Sequence, residues 1–251
     1  MEKTKLLFVL GTAFFLLKPI SAQPVAPPTV PLNVNQTVDA SFPRSLVSVG
    51  VTSGAVSVAI AVDEAGHLSD YLVTAYTHPA FAENAVNALK QWRFEPMTVN
   101  GTPKASKADI TFSFELEGVA IVSMTALESS ELIAYRIAPG ASAFFTRTAE
   151  QMKHFPSRMK VVPPNYSQSL ARKSNGGRTV VDFYIDESGH VRLPSVSLDT
   201  AEHYDALAAI AIEAIGQWVF EPPVSNGRPV IVLAAQAFDF KPPAPHEKGE
   251  L

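Results

Sequence analysis

The sequence contains no cysteine. This absence excludes thiol catalysis, cysteine-ligated zinc and iron–sulfur clusters, and it excludes lipidation of a cysteine after the N-terminal segment. An exported protein without disulfides must be held together by its hydrophobic cores alone. The formal net charge is −4, and the sequence contains no stripe of basic residues. We therefore expect no nucleic-acid partner.

Motifs for catalysis are also missing. The chain has no Gly-x-Ser-x-Gly elbow, no His-Glu-x-x-His, no phosphate loop and no dinucleotide fingerprint. His67 and His190 each follow a turn glycine, and a metal site there would need further ligands from elsewhere. The pairs Asp63-Glu64 and Asp186-Glu187 would point apart at a strand end. We therefore predict solvated turn histidines, and no enzyme, metal site or cofactor.

The longest apolar run near the N-terminus, Leu6–Leu17, has 12 residues. A helix that crosses a bilayer needs about 20 apolar residues. Lys3 and Lys5 precede the run and Ile20-Ser21-Ala22 follows it, so residues 1–22 are predicted to be a signal peptide cleaved between Ala22 and Gln23. The mature protein would then be periplasmic or secreted. The alternative is an uncleaved inner-membrane anchor, the only membrane contact expected, with the rest facing the periplasm.

The chain does contain an internal repeat, in which one pattern of residues occurs twice. An Asp-x-x-Gly turn, a Trp-x-Phe-x-Pro segment, an Asn-Gly turn and a Phe-x-Phe ending follow in the same order. The tryptophan lies 22 positions before the last phenylalanine in both copies. Such a repeat indicates that one small domain has been duplicated. The landmarks are Gly66, Trp92, Phe94, Pro96 and Phe114 in copy 1, and Gly189, Trp218, Phe220, Pro222 and Phe240 in copy 2.

The hydrophobic periods predict the same elements in each copy. Apolar residues alternate along Val56–Val62, as in a strand with one buried face, and a return strand follows the turn. The period then changes to that of a helix, which ends near Trp92 or Trp218, where core packing is the expected role. Each copy is thus an α+β unit, ββαβ, with a three-stranded antiparallel sheet and a helix on one face. A short helix is expected upstream, at 42–46 and at 166–170.

These patterns divide the chain into six parts. We expect a signal peptide, a Pro-rich lead, two domains, a connector and a disordered tail, at 1–22, 23–31, 32–116 (domain 1), 117–158 (connector), 159–241 (domain 2) and 242–251. Within the connector, Val119–Met124 is a candidate strand, Glu128–Arg136 is strand or helix, and Thr148–His154 is helix-like.

At this point the residues resemble the C-terminal domain of TonB energy transducers. The shared pattern is an aromatic residue before a short helix, Gly-x-Val, Asp-x-x-Gly, Trp-x-Phe-x-Pro, Gly-x-Pro and Phe-x-Phe. It is carried in copy 1 by Phe42, Pro43, Leu46, Gly54, Val56, Asp63, Gly66, Trp92, Phe94, Pro96, Gly101, Pro103, Phe112 and Phe114. It is carried in copy 2 by Tyr166, Leu170, Gly177, Val181, Asp186, Gly189, Trp218, Phe220, Pro222, Gly227, Pro229, Phe238 and Phe240.

The resemblance implies a periplasmic module that binds a protein, such as a TonB-dependent outer-membrane receptor. Family members pair a sheet edge with an extended receptor segment, and unpaired edge groups favour such strand addition. The last strand of each copy would be the docking edge. The residues implied are Ile110, Thr111, Phe112, Ser113 and Phe114 in copy 1, and Ala235, Gln236, Ala237, Phe238 and Asp239 in copy 2.

The chain also departs from an energy transducer. Its spacer is only a few residues long, its N-terminal anchor looks cleavable and its domain is duplicated. The resemblance therefore supports the fold more strongly than it supports an energy-transducing role. Two other functions stay open. One is a structural envelope protein whose repeats pack on each other, and the other is a true transducer with an uncleaved anchor.

Overall fold

The computed structural model describes residues 29–116, 118–125, 144–174, 176–197 and 206–241. The predicted signal peptide, the Glu128–Arg136 segment and the predicted tail lie outside these residues. Copy 1 and the strand that follows it contain β1 (Thr29–Val30), β2 (Asn33–Gln36), α1 (Arg44–Val47), β3 (Ser53–Val62), β4 (Leu68–Tyr76), α2 (Pro79–Leu89), β5 (Arg93–Glu95), β6 (Met97–Val99), β7 (Thr102–Lys104), β8 (Ser106–Glu115) and β9 (Gly118–Thr125).

The second half of the chain repeats this order after two short strands and one 3₁₀ turn. Its elements are β10 (Phe144–Phe145), β11 (Arg147–Thr148), the 3₁₀ turn Ala149–Gln151, β12 (Arg158–Lys160), α3 (Gln168–Ser174), β13 (Gly177–Ile185), β14 (Val191–Val196), α4 (Ala206–Ile215), β15 (Val219–Phe220), β16 (Val224–Ser225), β17 (Arg228–Pro229) and β18 (Val232–Phe240).

Two sheets carry the fold. The sheet of copy 1 has five strands in the order β10-β4-β3-β8-β9, and the sheet of copy 2 has four in the order β11-β18-β13-β14. All of these pairings are antiparallel except that of β11 with β18. The predicted α+β class, with a ββαβ unit in each copy, is confirmed. Both sheets are wider than the three strands expected, because connector segments join them.

The Asp-x-x-Gly turn is bonded directly to the Trp-x-Phe-x-Pro segment. In copy 1 the Asp63 carboxylate accepts bonds from two turn amides, and Gly66 has a φ of 81°. The Gly66 carbonyl then accepts the amide of Phe94 at 3.2 Å, and in copy 2 the Gly189 carbonyl accepts that of Phe220 at 2.8 Å. These bonds explain why the two motifs occur together in the sequence.

Each tryptophan closes its core, as predicted. Trp92 and Trp218 are buried, and each indole N–H donates to a carbonyl of the segment that precedes the first helix. The acceptors are Val38 at 2.9 Å and Val162 at 2.8 Å. A buried indole needs such an acceptor, since an unpaired buried N–H is costly. The bond fixes the N-terminal segment of each copy across the end of its helix.

Some boundaries differ from the prediction. The helices α2 and α4 end at Leu89 and Ile215, three residues before each tryptophan, because the next residues pair in β5 and β15. The strand expected at Val119–Met124 is present as β9. The helix expected at Thr148–His154 is reduced to a 3₁₀ turn, where the side chain of Gln151 accepts the amide of Thr148.

The prediction that β3 buries one face is wrong, because both of its faces are buried. Val56, Val58 and Ile60 face α2 in the core of copy 1. On the other face, Ala59 packs with Leu72 of β4 and with Leu193 and Ile231 of copy 2. The two sheets therefore pack through the faces turned away from their helices. The layers follow in the order helix, sheet, sheet, helix.

The contact between turn and strand predicts unequal costs for two glycine-to-alanine changes in copy 1. A Cβ at Gly66 would lie 2.2 Å from the carbonyl oxygen of Phe94, whereas a Cβ at Gly101 would meet nothing within 4 Å. Both residues have positive φ. We expect Gly101→Ala to cost about 1–2 kcal/mol and Gly66→Ala about 3–5 kcal/mol in the free energy of unfolding, measured in urea. Equal costs would show that the close approach adds nothing.

Candidate docking edges and the interface between the copies

In copy 1 the predicted docking strand is not an edge. β8 pairs with β3 from Ser106 to Glu115, and on its other side it pairs with β9 from Asp109 to Glu115. The cause is local, since the chain reverses directly after β8 and Gly118 lies opposite Glu115. The expectation of an open edge at Ile110–Phe114 is therefore corrected. Within that stretch the side chains of Ile110, Phe112 and Phe114 belong to the core.

In copy 2, considering only the strands that the structure describes, the predicted docking strand is open along most of one side. β18 pairs with β13 over its whole length. On the other side, β11 pairs only with Val232 and Leu233. No further strand of the described residues pairs with Ala234–Phe240 on that side. The predicted residues 235–239 all lie within this stretch. They therefore follow one another along the strand side that no other described strand covers.

The side chains beside this stretch are partly exposed and mixed in character. Phe238 is half-buried, and its ring lies 6.0 Å from that of Trp218. The guanidinium of Arg158 stacks over Trp218 at 5.1 Å and donates to Gln236 at 3.0 Å. Asp239 lies 3.8 Å from Arg178, with both side chains 66% exposed. The stretch therefore offers an aromatic surface, a cation and a carboxylate beside the backbone.

The interface between the copies combines small apolar residues with charges. Its apolar part joins Ala59 and Leu72 of copy 1 to Leu193 and Ile231 of copy 2. Beside it, Arg192 of β14 binds both carboxylate oxygens of Asp70 on β4 and donates to the carbonyl of Tyr71 at 3.1 Å. Such a bidentate pair fixes geometry as well as charge. Sequence reasoning missed this pair, since neither residue belongs to a repeated motif.

One lysine lies largely buried at this interface. Burial lowers the pKa of Lys107, on β8, from 10.5 to about 7, although the charges of Asp70, Asp109 and Asp182 oppose that shift. Burial also raises the pKa of Tyr184, and the charges of Asp109 and Asp182 add to that effect. Because Asp182 and Tyr184 belong to β13, groups from both copies share one electrostatic environment.

The histidines of the two turns are exposed to solvent, as predicted. The side chains of His67 and His190 are 66% and 63% exposed, and each lies near the aspartate of its own turn. Bonds from the backbone amides of His67 and Ala65 lower the pKa of Asp63. Turn geometry accounts for these aspartates. In the part of the chain described here, no three potential metal ligands cluster together.

Comparison with known proteins decides the family. A model of the Gram-negative bacterial TonB protein C-terminal matches residues 40–116 and 162–242. The chain belongs to the TonB C-terminal family. The two matched segments correspond to copy 1 and copy 2, so the tandem resemblance inferred from the motifs is confirmed. Each TonB C-terminal segment ends with the strand discussed above, β8 in one and β18 in the other.

A curated relative supports this membership. The chain is 31% identical over 100 residues to Protein TonB of Vibrio cholerae serotype O1 (strain ATCC 39315 / El Tor Inaba N16961). The alignment covers 39% of this chain and 40% of that protein, so the chain spans about 40% of the length of this relative. Among the helices of the described residues, none has the length and apolar character needed to cross a membrane.

The ion pair between the copies predicts a contrast between two arginines. Arg192→Ala removes a partly buried, bidentate partner of Asp70, and we expect it to cost about 2–3 kcal/mol in the free energy of unfolding. Arg178→Ala is the matched control, because its pair with Asp239 is exposed, and we expect a cost below about 0.5 kcal/mol. Urea denaturation measures both. A negligible effect of Arg192→Ala would contradict the role of this pair.

The buried lysine predicts a pH dependence of stability. Since the pKa of Lys107 is about 7 in the fold and 10.5 is its ordinary value, the unfolded chain binds more protons between these values. The free energy of unfolding should therefore rise with pH above 7, by up to about 1.4 kcal/mol per pH unit. Lys107→Met should remove that rise and stabilise the protein at pH 6. An equal rise in the variant, measured by urea denaturation from pH 6 to 9, would refute this assignment.

Proposed function

We propose that the chain is a non-enzymatic binding protein of the periplasm, and that it acts in TonB-dependent transport. It docks an extended segment of an outer-membrane or periplasmic protein by adding it as a strand to β18. The partner class is that of the family, a TonB-dependent outer-membrane receptor. The free side of β18, from Ala234 to Asp239, carries this proposal.

The geometry of β18 supports strand addition. On the side that no other described strand covers, β18 offers backbone N–H and C=O groups that an extended segment satisfies without a preformed pocket. One of the carbonyls in this stretch, that of Ala237, accepts the side-chain amide of Gln236 at 2.6 Å. Six residues at about 3.3 Å each give a docking length of about 20 Å. Specific recognition would come from the neighbouring side chains of Phe238, Arg158 and Asp239. No cofactor is needed for such binding.

The location of the protein is part of the same proposal. Removal of residues 1–22 would release the mature chain, starting at Gln23, into the periplasm. The alternative is that an uncleaved segment anchors the chain in the inner membrane, as a true energy transducer requires. The short Pro-rich lead at 23–31 argues against a role that spans the periplasm. N-terminal sequencing of the protein recovered from cells separates the two.

A structural envelope protein is the second candidate function. Two observations favour it: β9 covers the edge of β8, and the copies pack through their sheets. A chain of this kind would need no receptor segment. It differs from the docking protein in one testable respect, since the free side of β18 would have no partner in cells.

Photo-crosslinking in cells tests the docking proposal. A photo-reactive phenylalanine analogue placed at the exposed Ala235 lies on β18, so we expect it to crosslink to an outer-membrane or periplasmic protein, identified by mass spectrometry. Asp239→Lys in the same chain should reduce that crosslink at least fivefold, because it reverses a charge beside the docking strand.

The matched controls use positions away from the free side of β18. The analogue at Glu213, an exposed residue of α4, should give no such crosslink, and Glu213→Lys should leave the Ala235 crosslink unchanged. Recovery of no partner from Ala235, or of the same partner from both positions, would argue against docking at β18. The structural candidate would then be favoured.

A further inference from the structure

The last strand of the domain, β8 in copy 1 and β18 in copy 2, differs between the copies in burial and in pairing. Counting from each tryptophan, Phe112 of β8 corresponds to Phe238 of β18. Phe112 is fully buried, whereas Phe238 is half-buried. On the outer side, β9 pairs with six residues of β8, from Asp109 to Glu115, whereas β11 pairs with two residues of β18. The copy 1 edge therefore already holds an extended segment, and that segment belongs to the same chain.

The amino-acid sequences of β8 and β18 also differ, in a way that matches their different pairing. Ile110 of copy 1 corresponds to Gln236 of copy 2, and Ser113 corresponds to Asp239. A strand that stays at a sheet edge in solution usually carries polar or charged residues, which discourage unwanted pairing. A strand that is covered on both sides has no such need, and Ile110 is fully buried. The substitutions between the copies thus follow the pairing observed on each strand.

We propose that the copy 1 edge is a second strand-binding site and that β9 is its built-in occupant. The kind of ligand it takes is an extended antiparallel segment in the register of β9, in which Ile121 lies opposite Ser113 and Val122 opposite Phe112. The chain then offers one docking strand to other proteins, β18, while copy 1 supports it through the interface between the sheets. This inference rests on the proposed function only in taking strand addition as the mode of binding.

Covalent connection explains why an outside segment does not replace β9. β9 begins at Gly118, opposite Glu115, so only two residues separate the paired strands. A segment held so close has an effective concentration in the millimolar range or above. A free segment of equal affinity would have to exceed that concentration to compete. The copy 1 edge therefore becomes available only when the pairing of β9 is broken within the chain.

Amide hydrogen exchange on the full mature chain tests this inference. The variant Ile121→Pro/Val122→Pro breaks the pairing, because successive N–H groups of a strand point to opposite sides and one of the two prolines must remove an N–H that faces β8. The control Ile121→Ala/Val122→Ala keeps both N–H groups. In the proline variant we expect at least tenfold faster exchange of those amides from Asp109 to Ser113 that face β9, whereas the alternate amides, which face β3, should stay protected. The control should show little change at either set.

The probe is a synthetic peptide with the sequence of residues 118–125 and lysines added at both ends for solubility. Added in excess to the proline variant, it should restore the protection of β8 at least tenfold. It should leave β8 unchanged in the wild-type chain, where β9 is in place. Unchanged β8 exchange in the proline variant would overturn the inference, and so would β8 amides that the peptide fails to protect again.

Faster exchange throughout β13 and β18 would reveal that the proline variant has unfolded. In that case a milder variant replaces it in the same experiment. Ile121→Gly/Val122→Gly weakens β9 but keeps its N–H groups, and the same two outcomes then apply. Failure of the Ala235 crosslink leaves these results untouched, because they concern β8 and a peptide of this chain. Failure here, with the crosslink intact, would show that copy 1 takes no segment although β18 docks one.

Discussion

The packing of copy 2 against the second face of β3 is the constraint on which the rest of the structure depends. A sheet with one helix layer leaves its other face to water, yet here Ala59 is buried against Leu193 and Ile231 of copy 2. Farther along the same face, Ala55 is buried against Phe145 of the connector. Small side chains let another layer come close, and the buried hydroxyls of Ser57 and Thr111 are paired with each other at 3.1 Å. Because this face is covered, the two domains form one body of four layers.

The connector between the copies decides which strand edges are covered. The segment from Phe144 to Thr148 pairs first with β4 of copy 1 and then with β18 of copy 2, so it ties the two sheets together. β9 fills the remaining edge beside β8. The corresponding edge of copy 2, along Ala234–Phe240 of β18, has no strand partner among the described residues. Duplication has thus given two copies with the same fold and different strand edges, since β9 pairs along β8 whereas β11 pairs with only two residues of β18.

The repeated motifs allowed the fold of each copy to be predicted, because they encode local contacts. The Asp-x-x-Gly turn and the buried tryptophan keep the same partners in both copies, and the Phe-x-Phe strand pairs on one side with the first long strand of its own copy. The interface could not be predicted in this way, since Asp70, Arg192 and Lys107 belong to no repeated motif. One signal was present: alanine and serine at the outward positions of β3, where a solvated face would carry charges. Of the two edges predicted for docking, β8 is covered by a strand from the connector, whereas Ala234–Phe240 of β18 has no second strand partner among the described residues.

The central claim is that the two copies pack sheet against sheet in one fixed arrangement, and a distance measurement tests it most directly. The chain has no cysteine, so Asn87→Cys on α2 and Glu213→Cys on α4 give two unique sites for spin labels on the outer layers. Pulsed electron resonance should then give one narrow distance distribution, unchanged from 0.1 to 0.5 M salt. A broad distribution that extends over tens of ångströms would show two domains moving independently, and it would contradict the four-layer arrangement.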